Sequence, residues 1–325
     1  MDFKKVLKKN TIIRRLGKKF NIYKAFSNDA REFSKYYVEE AERNGDFRYS
    51  VMLLVHSLEK GMCMPNPRPF GEEKIHKLME YLKNMELSNS NNFEYKLGVS
   101  VLNAWVIFFE KHSWTSESTY KTVKAFIEQR TKVNIQTGAK EYIAPPTLDL
   151  SEKYFALIST RHSVRDFKTD KLDMKDVQFA IECFIETPTA CNRQMCGLLY
   201  IEKPEVKCLL DKKIIGLPGF NKGATQYFII TYDLAAFAYS GERQQGLFNA
   251  GLCAMNFING LHAKGIGSCC LQWSNKSSED REVRKALNLR ESERIGIVVG
   301  CGYYKERNII PCSVRKTKDE VFKII

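Results

Sequence analysis

The sequence predicts an α+β fold in the second half of the chain, preceded by a mostly helical first half. Three observations carry this. From Ala30 to about Lys132 apolar residues recur every three to four positions with little strand signal, which is the helical period. Beyond Leu150 short strand-like runs alternate with helical ones, the texture of a sheet with packed helices. Between the two, Asn134 to Leu150 contains Gly138 and Pro145-Pro146 and has the composition of a boundary. At 325 residues the chain is about twice the roughly 150 residues of a typical domain. The expected organisation is therefore a basic amphipathic segment at 1–26, a helical region at 27–148 and a C-terminal domain at 149–325.

The first segment holds nine Lys or Arg and one acid, Asp2, so +8 of the net +13 sits in residues 1–26. Phe3, Val6, Leu7, Ile13, Leu16, Phe20 and Tyr23 recur at helical spacing, opposite a basic face. Such a helix suits an anionic membrane surface. The alternative is that the stripe packs on the protein's own body and the lysines are solvated, with Gly17 weakening any single long helix. Nucleic acid ranks last as a partner, because no helix-turn-helix, zinc finger or RNP-like aromatic strand accompanies the charge.

Four helical stretches follow, around Phe33 to Tyr37, Val51 to Leu58, Ile75 to Leu82 and Val99 to Phe109. His56 and Glu59 share a helix face, and a metal or proton-transfer role is open to them. The simpler reading makes Lys60 and Gly61 a helix end with Gly61 as left-handed cap. Met64 to Gly71, with Pro65, Pro67 and Pro69, reads as an extended connection. In the second half Gly197 to Ile201, Gln226 to Thr231 and Ile295 to Val299 read as strands. Lys175 to Glu186, Gly246 to Lys264 and Asp280 to Leu287 read as helices.

Composition narrows the class. With 44% hydrophobic and 27% charged residues the chain is a globular protein rather than a disordered one. Its apolar runs fall short of the ~20 residues a bilayer span requires. The ten cysteines lack the spacing of a disulfide framework or a zinc site, so reduced, mostly buried thiols are expected. No continuous apolar core of a signal peptide forms near the N-terminus, and the expected compartment is the cytoplasm.

The densest anion-binding signal is Arg161-His162-Ser163-Val164-Arg165-Asp166-Phe167. Arg161, Ser163 and Arg165 at alternate positions of an extended segment would point one way and converge on a phosphate; a solvated surface run is the alternative. Pro188 to Gln194 is a polar turn in which Asn192 and Gln194 suit a heterocycle edge, or a turn bonding only its own backbone. Asn249 to Ser268 is a long helix with the small residues Gly251, Ala254 and Gly260 on one face, which permits close helix approach, including across a subunit interface. Its glycines do not form a dinucleotide fingerprint, since they follow a helix and lack a third glycine. The tail carries Gly302-Tyr303 and then Arg315-Lys316.

In this order the four elements resemble the nitroreductase-like flavoprotein family, over residues 153 to 323. The family carries an early R-x-S-x-R-x-F, a P-[ST]-A-x-N-x-Q turn, a glycine-containing central helix ending G-[LI]-G-[ST], and a late G-Y with R-K behind it. The resemblance implies a nitroreductase-like sandwich, an obligate homodimer, and one FMN at each end of the dimer interface. Arg161, His162, Ser163 and Arg165 would hold the flavin phosphate and ribityl chain, with Arg315 and Lys316 reaching the same phosphate. Thr189, Asn192 and Gln194 would lie against the flavin from one of the two subunits. Cys270, Leu271 and Gln272 would line the ring, with a backbone N–H near Gln272 directed at N5 or O4. Met195 and Cys196 stand where the family commonly has Pro after the turn glutamine and Trp nearby, so the next strand is expected to be shaped differently. His56 to Gly61 is similar to an H-x-[LI]-E-K-G run of longer nitroreductase-like proteins associated with polysaccharide biosynthesis.

No catalytic triad is expected, because hydride transfer belongs to the flavin. The leading expectation is an FMN-dependent oxidoreductase using NAD(P)H and a small-molecule acceptor by ping-pong turnover. The alternative is a flavin-binding or flavin-less, membrane-peripheral component of a biosynthetic assembly without redox turnover.

Overall fold

Apolar residues three and four apart build the first half in the computed structural model, which describes residues 11–89, 91–131, 133, 135–143 and 149–325. Helices α1 (Thr11–Tyr36) and α2 (Val38–Arg43) lead into α3 (Arg48–Met62), α4 (Glu72–Asn89), α5 (Phe93–Lys111) and α6 (Ser118–Glu128). Val51, Val55 and Leu58 of α3 meet Ile75, Leu78 and Leu82 of α4, Leu102, Trp105 and Phe109 of α5 and Val123 of α6 in one buried cluster. Each such side chain contributes about 1.5–3 kcal/mol by leaving water. Asn92 caps α5 by accepting the N–H of Tyr95 at 2.8 Å.

Gly61 does not cap α3 as expected. The helix runs through it to Met62, and the capping Cys63 has φ −91°. Its lack of a side chain serves packing: a Cβ there would stand 2.2 Å from the ring of Phe70, which the proline-rich connection folds back onto α3. Glu59 accepts the N–H of Gly138 at 3.3 Å, so this carboxylate ties the boundary segment to the helical core. The rest of the expected boundary, Asn134 and residues 144–148, lies outside the described residues, as do residues 1–10.

The second half comprises α7 (Ser151–Thr160), α8 (Met174–Ile185), β1 (Cys196–Tyr200), α9 (Pro204–Lys213), β2 (Gln226–Asp233), α10 (Gln245–Ala263), β3 (Ile266–Leu271), α11 (Ser277–Ala286), β4 (Glu293–Tyr303) and α12 (Lys318–Val321). The sheet runs β1-β2-β4-β3, every pairing antiparallel. Alternation along β2 sends Phe228 and Ile230 to one face, against Ala250, Ala254 and Phe257 of α10 and Val177 of α8. Tyr227 and Ile229 go to the other, against Val206 and Leu210 of α9 and Val283 of α11. The result is the expected α+β sandwich. Two elements escape the sequence reading. Helix α9 opens on Pro204 at its first turn, and β3 has its alternation hidden by Gly267, whose missing side chain makes room for Tyr304 and Phe167.

The halves share a further cluster in which Val38, Ala41 and Tyr49 pack on Met195 and Leu234 to Phe237. Below it Asp233, 1% exposed, accepts from Tyr49 at 3.2 Å and pairs with Arg290 at 3.1 Å and Arg48 at 3.4 Å.

Two expectations about side chains are corrected. All ten cysteines are free, but only Cys253, Cys269 and Cys301 are buried and five are exposed, because Cys63, Cys191, Cys208, Cys270 and Cys312 fall on outward faces or loops. The apolar stripe of α1 does not pack on the body before Phe33: Leu16, Phe20 and Tyr23 are 61%, 66% and 75% exposed. Gly17 nonetheless lies inside one continuous helix. Among the described residues no helix is long and apolar enough to cross a membrane.

Candidate functional site

The Arg161 to Phe167 run leaves α7 as extended backbone and is stitched to β3. The Val164 N–H donates to Ser268 O at 3.1 Å, and Ser163 forms a parallel bridge with Ser268. Val164 and Phe167 turn inward and are buried. Arg161, His162 and Ser163 are half-buried, and Arg165 is exposed. Among the described residues Arg165 bonds only the carbonyl of Ser163, at 3.1 Å. The Nε of Arg161 is buried without a partner, a donor state that native structures rarely leave unanswered.

His262, in the last turn of α10, stands beside this run. Its ring nitrogens lie 2.9 Å from Thr160 Oγ1 and 2.8 Å from the Tyr304 hydroxyl. Burial first, then the charges of Arg161 and His162, hold the His262 pKa below its ordinary value. Arg161 is thus a positive neighbour at this edge of β3, and positive charge is what an anion site needs. At the far end of β3, Leu271 is buried while Cys270 and Gln272 are exposed.

The Thr189 to Gln194 turn is held from outside itself, which overturns the reading of a turn bonding only its own backbone. Cys191, Asn192 and Gln194 have φ of 53°, 50° and 49°, a left-handed conformation that costs a non-glycine residue roughly 1–2 kcal/mol. Arg193, 1% exposed, supplies the restraint. Its Nε donates to Ala190 O at 3.0 Å, Nη1 to Ala236 O at 2.5 Å, and Nη2 and Nη1 to the Glu242 carboxylate at 2.5 and 3.0 Å. Asn249 of α10 accepts the N–H of Ala190 at 3.1 Å, and Thr189 Oγ1 accepts that of Gln194 at 2.9 Å. Asn192 and Gln194 consequently present exposed side chains on a fixed backbone. Arg193, Glu242 and Asn249 were not singled out from the sequence. Arg193 lies inside the motif at a position that the pattern leaves free; its distant partners Ala236 and Glu242 lie 43 and 49 residues away, and Asn249 lies 59 residues from Ala190.

One chain does not bring the two groups together. The turn leads into β1 and the Arg161 run is stitched to β3, and these are opposite edges of the sheet. The turn and the Cys270 to Gln272 end of β3 face the same end of the sheet, three spacings of about 4.8 Å apart. Arg315 and Lys316 follow β4 in an exposed tail, where Arg315 bonds the carbonyl of Ser313 at 2.6 Å.

The small face of α10 is used within the chain. A Cβ on Gly260 would meet Ala180 Cα of α8 at 2.7 Å, and Ala254 is buried in the sheet-facing core, whereas Gly251 has open space beside it. Phe248, Leu252 and Met255 are left exposed on the same helix.

Residues 158–303 match the model of the Nitroreductase family, so that stretch of the second half is a nitroreductase-family domain. The solved structures it resembles include a protein assigned as a nitroreductase, in complex with FMN, from Desulfovibrio desulfuricans (18% identity, 52% of this chain and 94% of that one, TM-score 0.44). A nitroreductase family protein from Clostridium novyi is 15% identical over 47% of this chain and 86% of that one, with TM-score 0.42. An FMN-dependent nitroreductase from Clostridium difficile is 16% identical over 48% of this chain and 91% of that one, with TM-score 0.41. No curated protein matches the sequence.

Proposed function

We propose that this chain, with its nitroreductase-family domain, is an FMN-dependent oxidoreductase that moves hydride between NAD(P)H and a small acceptor. The observation that carries the reading is the Nε of Arg161, buried without a partner among the described residues, with Ser163 and Arg165 beside it at the edge of β3. A phosphate would satisfy that donor, and charge-assisted bonds of this kind are worth about 1.5–3 kcal/mol each. His162 would add a further donor, and Arg315 and Lys316 would reach the phosphate from the tail. Cys270, Leu271 and Gln272 would line the ring. FMN bound there would supply the hydride chemistry. The chain's residues would hold the phosphate, donate to the reduced ring from the backbone near Gln272, and keep one face open to nicotinamide and acceptor in turn.

The site is completed by a second copy. Thr189, Asn192 and Gln194 are fixed at the opposite sheet edge from β3, so a flavin touching both groups sits between subunits. The exposed Phe248, Leu252 and Met255 of α10 provide an apolar face for that homodimer. The domain division is residues 1–26, 27–148 and 149–325, with the helical region linked to polysaccharide biosynthesis through its His56 to Gly61 segment.

A peripheral membrane role is favoured by one further observation. The α1 residues Leu16, Phe20 and Tyr23 are exposed, while α1 has no acidic residue before Asp29. An anionic bilayer suits such a face.

Purified protein tests the reading directly. It should be yellow, with about one FMN per chain, and NAD(P)H should bleach the visible band without oxygen. A colourless protein that gains no band on adding FMN would refute the flavin assignment. A yellow protein that neither nicotinamide reduces would leave the flavin-binding component without turnover.

A further inference from the structure

A cavity of about 790 Å³ lies under the C-terminal part of α1, away from the Arg161 run. Its apolar walls include Phe26 and Phe33 of α1, Tyr232 and Leu234 at the end of β2, Leu247 of α10, Trp273 beyond β3 and Ile295 of β4. The volume falls in the range of about 300–1,000 Å³ typical of small-molecule sites, which are mostly apolar with a few convergent polar groups. Four aromatic rings in the lining favour a flat ligand, since rings stack or meet edge to face with gain beyond their area.

The charges in the lining select the sign of the ligand. Glu32 is paired with Arg294, and Asp280 accepts from Arg284 at 2.8 Å and from Trp273 Nε1 at 2.8 Å. Two cations remain. Among the described residues, Arg243 bonds only the carbonyl of Ser240, at 3.2 Å, and Arg281, which lines the same cavity, has no side-chain bond. Asn275, also in the lining, has a buried Nδ2 without a partner. The acid left over is Asp29, whose carboxyl is held above its ordinary pKa by burial, with Arg294 pulling the other way.

We infer that this cavity binds an aromatic organic anion, with its ring between Phe33, Tyr232 and Trp273 and its acid group toward Arg243 and Arg281. The inference is independent of the flavin reading, because none of the residues assigned to FMN lines the cavity.

The test uses the full-length protein as purified and 8-anilinonaphthalene-1-sulfonate as probe. Saturable binding of one probe per chain is expected, with energy transfer from tryptophan that Trp273→Phe removes while binding persists. The uncharged 1-anilinonaphthalene should bind at least tenfold more weakly. Leu247→Trp, at a half-exposed wall position that tolerates bulk, and the pair Arg243→Ala with Arg281→Ala should each weaken the probe at least tenfold, with circular dichroism and FMN content unchanged. Binding that survives both variants, or equal affinity for the uncharged compound, would overturn the inference. So would loss of binding in Leu16→Ser with Phe20→Ser, which would place the probe on the exposed face of α1. FMN content read in the same samples separates failure here from failure of the flavin assignment.

Discussion

Replacing Arg193 by Met tests whether one buried guanidinium holds the turn that carries Thr189, Asn192 and Gln194. Methionine keeps much of the length and apolar stem but removes every donor. Four hydrogen bonds to Ala190 O, Ala236 O and the two oxygens of Glu242 disappear, and the Glu242 carboxylate, 12% exposed, keeps only the N–H of Ala238 at 2.8 Å. Breaking a buried ion pair from one side costs about 3–5 kcal/mol, against typical total stabilities of about 5–15 kcal/mol. The left-handed residues Cys191, Asn192 and Gln194 then relax. Urea unfolding should show a loss of about 3–5 kcal/mol, and FMN content should fall with it. Glu242→Gln added to Arg193→Met should recover part of the loss, because no unpaired charge then remains. Burial alone would raise the Glu242 pKa, but Arg193 and the Ala238 N–H hold it below its ordinary value. The pair's contribution is therefore present above the unfolded carboxylate pKa of about 4.3 and is lost as pH falls through the lower folded value. An Arg193→Met protein that loses under about 1 kcal/mol and keeps its FMN would refute this account of the turn.

Four further outcomes are expected. Arg161→Ala with Arg165→Ala should weaken FMN by about 10²–10⁴-fold, from two bonds of about 1.5–3 kcal/mol each, while the urea midpoint of the apoprotein stays put; equilibrium dialysis against FMN reads this. Gly61→Ala should destabilise by about 1–3 kcal/mol, since the overlap with Phe70 outweighs the gain of up to about 1 kcal/mol from better helix propensity; an unchanged urea midpoint would contradict the packing role. The depressed pKa of His262 means that the unfolded chain takes up its proton first as pH falls below about 6.5. Stability should therefore drop across that window in the native protein and lose this part of its pH slope in His262→Gln. Deleting residues 1–26 should abolish co-sedimentation with phosphatidylserine vesicles without changing FMN content, and binding by the full chain should weaken as salt rises past physiological strength, where screening acts beyond about 8 Å.

Local patterns made much of the molecule legible. The helical period placed α8 and α10 within a residue of their observed bounds and the centres of α3, α4 and α5, whose ends run up to seven residues further, and alternation placed β2 and the centre of β4. The ordered motifs, from Arg161-x-Ser163-x-Arg165 to Arg315-Lys316, pointed to the family of the second half before any coordinates. These features depend on residues a few positions apart, and physical preferences over such distances are written directly in the sequence.

What the sequence by itself determined, then, is the α+β class, the helical first half and the residue types suited to an anion. Only the tertiary structure decided how those residues are held. It buried Arg193 against Glu242, fixed Gly61 by the return of Phe70, and tied Glu59 to Gly138. It also set the Thr189 to Gln194 turn and the Arg161 run on opposite edges of one sheet, and left the stripe of α1 uncovered. Each outcome turns on contacts between residues distant in the chain, or on their absence. Which distant surfaces meet is settled by packing the whole chain at once, and no window of sequence contains that information.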